Sequence, residues 1–195
     1  MKRVFDIFFS SLILFFFLPV GCILAVWILL ESRGRVFYYQ ERIGLKGKPF
    51  QLIKFRSMKK NADREGRLTI GMRDSRITKS GYFIRKFKLD EFPQFINVLK
   101  GDMSVVGPRP EVEEYVRLYN QSQREILQVK PGITDIASLE FFDENKLLGE
   151  SDNPRQTYIK EIMPAKIEMN KEYLKNPTIS NDLNIMFKTF LKIIR

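Results

Sequence analysis

Leu89-Asp90-Glu91-Phe92-Pro93-Gln94-Phe95-Ile96-Asn97-Val98-Leu99-Lys100-Gly101-Asp102-Met103-Ser104-Val105-Val106-Gly107-Pro108-Arg109-Pro110 carries a helix, a pair of acids and a rigid turn in one run. Phe92, Phe95, Ile96 and Leu99 recur at helical spacing, Asp90 stands where it can cap the first turn, and Gly101 stands where a left-handed residue ends a helix. Asp90 and Glu91 are therefore expected at a helix N-terminus, where free N–H groups keep a carboxylate ionised and also attract phosphate. Arg85, Lys86 and Lys88 just upstream, and Arg109 downstream, supply cations that an anionic nucleophile needs beside an anionic substrate. A structural reading stands next to this one: an aspartate that only caps, and a Gly107-Pro108-Arg109-Pro110 turn that is only a stiff loop.

Composition narrows the chemistry. With 195 residues the chain suits one globular domain with a modest core. Its 33 basic against 23 acidic residues leave a net charge of +10, which calls for an anionic partner: nucleic acid, anionic lipid or a nucleotide. No histidine is present, so Ser-His and Cys-His catalysis and imidazole metal sites are excluded, and acid–base or nucleophilic work falls to carboxylates, lysine or tyrosine. The one cysteine, Cys22, lies in an apolar run and supports neither a disulfide framework nor a zinc cluster. Any metal would be a hard cation on carboxylate and phosphate oxygens, with Mg2+ the natural candidate.

That apolar run extends from Val4 to Leu30 with Asp6 as its only charge. Ile7 to Leu30, at about 1.5 Å per residue, is long enough to cross a hydrocarbon layer of about 30 Å. It is too long for a signal peptide, and no small-residue cleavage site follows. Pro19 near its centre predicts a kink or break. Lys2 and Arg3 on one flank and Arg33 and Arg35 on the other both favour the cytoplasm, so a re-entrant helix is preferred to a true span.

Downstream, Val36–Tyr39 and Phe50–Phe55 are rich in β-formers around a Gly44–Pro49 turn, which predicts a hairpin. Residues 59–75 read as a long mobile loop. Helix is expected from Arg76, with Ile77, Phe83, Ile84 and Phe87 buried, and again over Glu111–Gln128 with Val112, Tyr115, Val116 and Tyr119 on its inner side. Helical segments interrupted at Pro164 follow, then a break at Asn176-Pro177. A last helix is capped by Asp182, and its apolar face of Leu183, Met186, Phe187, Phe190, Leu191 and Ile194 suits either a headgroup layer or the protein core. The fold class is α+β, mainly helical, with residues 1–33 as the membrane element and 34–195 as the remaining domain.

Asp74-Ser75-Arg76-Ile77-Thr78, Leu89-Asp90-Glu91, Phe92-Pro93-Gln94, Asn97–Ser104, Gly107–Pro110 and Lys130-Pro131-Gly132-Ile133-Thr134, in that order, closely resemble the bacterial sugar transferases, the monotopic phosphoglycosyl transferases. The resemblance implies transfer of a sugar-1-phosphate from a UDP-sugar to a polyprenyl phosphate, with release of UMP, on the cytoplasmic face of the bacterial inner membrane. It implies Asp90 as nucleophile, Glu91 as Mg2+ ligand and Arg85 as an active-site residue, with Arg109 and Pro108 in substrate binding. Lys54-Phe55-Arg56-Ser57-Met58 resembles a further family motif and makes Lys54 and Arg56 candidates for phosphate contact, against the alternative of a solvated strand end. Membrane lipid is an expected partner, a homodimer is left open, and no nucleic-acid motif is present. The competing class is a non-enzymatic membrane module that binds polyanions, for which the Asp90-Glu91 pair would have no use.

The chain departs from the family in three places. Leu18 stands before Pro19 where members carry serine. Asp135-Ile136-Ala137-Ser138-Leu139-Glu140-Phe141-Phe142 replaces Gly-Trp-Ala-Gln-Val-Asn-Gly-Arg, so a familiar arginine becomes Phe142, with Arg155 or another cation left to compensate. Asn170 stands where many relatives carry aspartate. The sugar preference is expected in the region around position 142.

Overall fold

The computed structural model describes residues 1–32, 34–59, 62 and 74–194, without the side chain of Asn145. Helix α1 (Lys2–Glu31) is followed by a hairpin of β1 (Phe37–Ile43) and β2 (Pro49–Phe55), paired antiparallel from Phe37 opposite Phe55 to Ile43 opposite Pro49. This is the expected hairpin. Next come α2 (Lys79–Lys86), a 3₁₀ turn over Leu89–Glu91, α3 (Gln94–Lys100) and β3 (Ser104–Val106). After α4 (Glu113–Val116), β4 (Gly132–Thr134) pairs in parallel with β3, a second small sheet that the sequence pattern did not suggest. The rest is helical: α5 (Ile136–Glu140), α6 (Glu144–Gly149), α7 (Pro154–Thr157), α8 (Met163–Lys175) and α9 (Ile179–Ile194). The long loop expected over 59–75 and the flanking Arg33 lie mainly outside the described residues.

Helix α1 is fastened to the body along its whole length. Lys2 pairs with Asp182 of α9, and Arg3 donates to the carbonyls of Val98 and Leu99 at the end of α3. The buried Asp6 carboxylate accepts Ser104 Oγ at 2.9 Å and the Val105 N–H at 3.1 Å. Phe17 stacks on Phe92 with ring centroids 3.9 Å apart, while Leu24 and Ile28 are buried against Phe55 and Ile84. Glu31 accepts the N–H groups of Lys79 and Ser80, closing the start of α2 where free donors collect. The expected break at Pro19 is absent. A proline removes one backbone bond, and here the packed Phe17 before it and Leu24 and Ile28 after it hold the two halves in one helix. The opposite side of α1 is apolar and exposed, with Phe8, Phe15, Phe16, Leu18, Ile23 and Leu30 uncovered.

Helix α9 resolves its two readings in part. Ile185 is buried and Met186 packs inward, whereas Leu183, Phe187, Phe190, Leu191 and Ile194 are exposed, so the core covers only a narrow strip of the apolar face. Asp182 does not cap this helix. It is buried inside the first turn, held by Lys2 and by the Tyr173 hydroxyl, and Thr178 Oγ1 accepts the Asn181 N–H instead.

Three further boundaries move, each for a local reason. Helix starts at Lys79 and not at Arg76, because Asp74 turns back on Arg76, bonding its N–H and guanidinium, and Thr78 caps by accepting the Gly81 N–H. Ile84 is buried on this helix as expected, whereas Phe83 is exposed and leans on Trp27. The helix expected over 111–128 is α4 plus a 3₁₀ segment at Gln123–Gln128; Asn120 and Gln123 exchange side-chain-to-backbone bonds at 2.8 and 2.9 Å and start the second segment afresh. Its inner face is as expected, with Val112, Tyr115, Val116 and Tyr119 buried. Pro164 does not interrupt the chain either: a wider π-turn over Tyr158–Ile162 precedes it and α8 runs through.

Candidate functional site

The 3₁₀ turn that carries Asp90 and Glu91 begins at Lys88, a lysine in the left-handed region at φ 54°. The helix does not start at Asp90: bonds of the i to i+3 kind carry the turn, and α3 opens at Gln94. Asp90 therefore caps nothing, and a helix N-terminus is not what holds its charge. Gly101 closes α3 in the left-handed conformation, as expected. The buried Asn97 side chain ties α3 to β2, accepting the Ile53 N–H at 3.0 Å and donating to the Gln51 carbonyl at 2.8 Å. This clamp sets Lys54, at the end of β2, opposite Glu91.

Glu91 is the hub. Arg109 grips both of its carboxylate oxygens with the two ends of its guanidinium, and Lys54 Nζ lies 3.3 Å from Oε1. Burial by itself would raise this carboxyl; Arg109 and Lys54 outweigh it and hold Glu91 well below the usual range. Glu91 in turn raises the Arg109 guanidinium further, and burial lowers Lys54 with Glu91 opposing it. Asp90 sits next door under different conditions. It is 7% exposed, and among the described residues its carboxylate accepts no hydrogen bond. Burial raises it, Lys54 pulls it down, Glu91 pushes it up, and Arg85 and Lys88 pull it down again. Two adjacent acids are thus driven in opposite directions, which separates a fixed anion from a group that can change its bonding.

Arg109 is positioned by the turn on which it stands. Gly107 N–H donates to Thr134 O, and Gly132 N–H donates to Pro108 O, so two strands of chain touch here with no room between them. A Cβ on Gly132 would fall 2.2 Å from the Gly107 nitrogen. The Arg109 N–H then donates to the buried Asp135 carboxylate, which also accepts the Ser138 N–H as cap of α5 and Asn170 Nδ2 at 2.8 Å. Asp135 was not singled out from sequence, although it and Asn170 were both noted as departures. The structure joins them: the acid at 135 is bonded to the amide at 170.

These groups face a cleft of about 410 Å³. Lys54, Arg85, Lys88, Glu91 and Arg109 line one part of its wall, and Gln40, Arg42, Glu111, Tyr158, Glu144 and Lys166 extend it with polar groups. Another part is apolar, made by Phe9 and Ile13 of α1, Phe92 and Phe95, and Met186, Phe190 and Ile193 of α9. Asp90 lies beside this wall and is not itself on it; Lys54, Arg85, Glu91 and Lys88, whose charges act on it, are. Arg56 and Pro108 are placed elsewhere. Arg56 donates to Ser32 and ties the end of α1 to β2, and Pro108 is a buried part of the turn. Lys88 is the residue that the sequence reading passed over, named only as one of several upstream cations; its positive φ has no signature in sequence.

Among the described residues no three acidic, histidine or cysteine side chains gather as a metal cage. Glu91 accepts three bonds from Arg109 and Lys54, and Oε2, which takes only one of them, keeps a lone pair with which a metal could be met.

The family model for bacterial sugar transferases matches residues 1–195. A UDP-glucose:undecaprenyl-phosphate glucose-1-phosphate transferase of Escherichia coli is 38% identical over 98% of this chain and 40% of its own length. A UDP-N-acetylgalactosamine-undecaprenyl-phosphate N-acetylgalactosaminephosphotransferase of Aeromonas hydrophila is 37% identical over 99% of this chain and 43% of its own. The chain thus spans about two fifths of the length of these relatives, whereas it covers 87% of the uncharacterized sugar transferase EpsL of Bacillus subtilis at 36% identity. Paired acids, their cationic braces and the glycine-locked arginine turn all come from segments shared in this way, and the chain belongs to the bacterial sugar transferase family.

Proposed function

We propose that this chain is a membrane-bound phosphoglycosyl transferase that moves a sugar-1-phosphate from a UDP-sugar to a polyprenyl phosphate, releasing UMP. The observation that carries the reading is the dual character of one cleft, cationic beside the Asp90-Glu91 turn and apolar between α1 and α9. An amphiphile with a phosphate head and a prenyl tail matches such a cleft in both halves. Phosphoryl transfer asks mainly for positioning and neutralised charge. Lys54 and Arg109 share the one carboxylate of Glu91 and keep a net charge of +1, and Arg85 and Lys88, which have no ion-pair partner among the described residues, add to it for a diphosphate. Planar guanidinium donors suit phosphate oxygens.

In this mechanism the Asp90 carboxylate attacks the phosphorus that bears the sugar, and the bond from that phosphorus to the bridging oxygen breaks, its electron pair leaving with UMP. An oxygen of the polyprenyl phosphate then attacks the same phosphorus and returns the aspartate. Splitting the transfer this way gives ping-pong kinetics. Small movement of the Lys54–Arg85–Lys88 wall would open Asp90 to the cleft. Mg2+ at Glu91 belongs to the same proposal, with the diphosphate as its main ligand; no step above runs through it.

For the membrane we propose that the uncovered faces of α1 and α9 dip into one leaflet, with the body beside them on the cytoplasmic face of the bacterial inner membrane. A helix bonded to its own domain at residues 2, 17 and 31 is poorly suited to cross a bilayer alone. The test is UMP release by the purified chain in detergent with undecaprenyl phosphate and a panel of UDP-sugars, with and without Mg2+. Turnover is expected for wild type and lost in Asp90→Asn; normal turnover by that variant refutes the covalent route.

A further inference from the structure

Away from the paired acids the cleft has a second polar stretch, and its groups differ in how far they are already used. Glu111 accepts the Tyr158 hydroxyl on one oxygen and the Val112 N–H on the other, and Arg42 spends its guanidinium on Gln40 and the Pro110 carbonyl, so this part is closed on itself. Ser138, Glu144 and Lys166, on the same cleft wall, are not. Ser138 Oγ is buried and has no hydrogen-bond partner among the described residues. A buried hydroxyl left unpaired costs free energy, and on a cleft wall its partner can come from the cleft. Glu144 takes Lys166 Nζ on Oε2 at 2.6 Å and nothing among the described residues on Oε1, while Lys166, its charge balanced, keeps N–H groups to spare. One bonded chain fixes these groups to the Arg109 turn. The Asp135 carboxylate takes the Arg109 N–H and Asn170 Nδ2 on one oxygen and the Ser138 N–H on the other, and Asn170 Nδ2 also donates to the Lys166 carbonyl one turn back on α8. Glu144 is near enough to be among the charges that raise Arg109. The Glu144–Lys166 pair is neutral in sum, so it adds no pull on a phosphate. What it offers with Ser138 is one open acceptor, spare donors and a hydroxyl able to act as either, which matches a neutral group with several neighbouring hydroxyls.

We infer that Ser138, Glu144 and Lys166 read the hydroxyls of the donor's sugar ring and set which hexose the chain accepts. This rests on the proposed function, which supplies the donor. A ring that lacks or inverts the matching hydroxyl leaves the Glu144 carboxylate or the Ser138 hydroxyl unpaired, and that is the source of discrimination. The ribose of the nucleotide carries the same chemistry as the sugar, and the experiment separates the two.

Calorimetry on the full chain in detergent measures the affinities of UDP, UDP-glucose, UDP-galactose, UDP-N-acetylglucosamine and UDP-N-acetylgalactosamine, in the Asp90→Asn background so that no donor is consumed. Ser138→Ala should weaken the best-bound UDP-sugar about 3- to 10-fold and Glu144→Gln about 10- to 100-fold, the ranges for a hydrogen bond between neutral groups and to a charged one, while UDP affinity falls by no more than about twofold. Both variants also compress the ranking of the four sugars. In melts without ligand Ser138→Ala stays level with its parent or rises, since its hydroxyl has no partner among the described residues to lose, whereas a purely structural hydroxyl would lower the melt. Equal weakening of UDP and the UDP-sugars puts the ribose at this patch and overturns the inference. Unchanged affinity for every UDP-sugar overturns it too, and is the result if water alone satisfies Ser138. The proposed function fails separately: with Asp90 intact, UMP would be released from no UDP-sugar in the presence of undecaprenyl phosphate, even where these binding differences are found. UMP release together with a wild-type order of sugars in both variants sinks this inference alone.

Discussion

Exchanging each of the two neighbouring acids for its amide should move stability and activity in different ways. Glu91→Gln removes the charge that both Arg109 and Lys54 share, and leaves two cations facing one amide oxygen. The carboxylate takes two bonds from Arg109 and one from Lys54, and a hydrogen bond to a charged group contributes about 1.5–3 kcal/mol. The three side chains are 15%, 31% and 17% exposed, so solvent takes part of this, and one acceptor survives in glutamine. A net loss of about 2–3 kcal/mol follows, which for a chain of this size lowers Tm by about 4–12 °C. Asp90→Asn should do the reverse. Its residue is buried, its carboxylate accepts no hydrogen bond among the described residues, and burial, the largest influence on it, works against its charge, so a neutral isostere keeps Tm level or raises it while transfer is lost. Differential scanning fluorimetry in detergent reads both, and added UDP should restore Glu91→Gln more than it shifts wild type, by supplying the missing anion. If Asp90→Asn melts as far below wild type as Glu91→Gln, Asp90 is a structural acid and the two carboxylates do not divide the work.

Two other outcomes follow from the same groups. Glu91 is depressed when folded, so its stabilising effect is present above the unfolded carboxyl value of about 4.3 and fades as pH falls through the lower folded value; Asp90 is raised, so its ionisation opposes folding above about 3.9. The acid limb of UMP release should therefore titrate above an ordinary aspartate, and Lys88→Met should move it to higher pH; a limb below about pH 4 contradicts the burial of Asp90. Asp135→Gly removes the acceptor for Arg109 N–H, Ser138 N–H and Asn170 and should cost about 2–4 kcal/mol in a chemical melt, whereas Asp135→Gly with Asn170→Asp, which returns an acid from the facing position, should recover much of it. Additive losses in the double variant would show that the two departures are unrelated.

Much of the site was legible because its parts lie close in sequence. Asp90, Glu91 and Arg85 fall within seven residues, and Gly101 marks the end of α3 by its need for positive φ. What was hidden depends on distant partners. Nothing near Asp90 announces that a 3₁₀ turn precedes α3 and leaves the acid buried, or that Lys54 and Arg109 meet on Glu91 across 37 and 18 residues. Arg56 and Pro108 sit in equally suggestive motifs, yet Arg56 reaches Ser32 and Pro108 is buried in the turn, neither of them on the cleft wall, since a motif records that a residue is needed and not what it touches. Likewise β3 and β4 are three residues each, too short for any periodicity to register.

The fastening of α1 has a consequence for how the molecule comes into being. Its apolar outer face favours lipid as soon as it is made, yet its inner face waits for Phe92, Ser104 and finally Asp182 to arrive. The segment with the uncovered apolar face is also the template on which the rest of the chain assembles. Shaving it away should not release a soluble transferase; it should leave α2 without its opening bonds, β3 without its acid and one of three apolar clusters without half its members. By the same logic a harsh detergent that peels α1 from the body would inactivate the protein by unfolding it, long before any side chain at the cleft is disturbed.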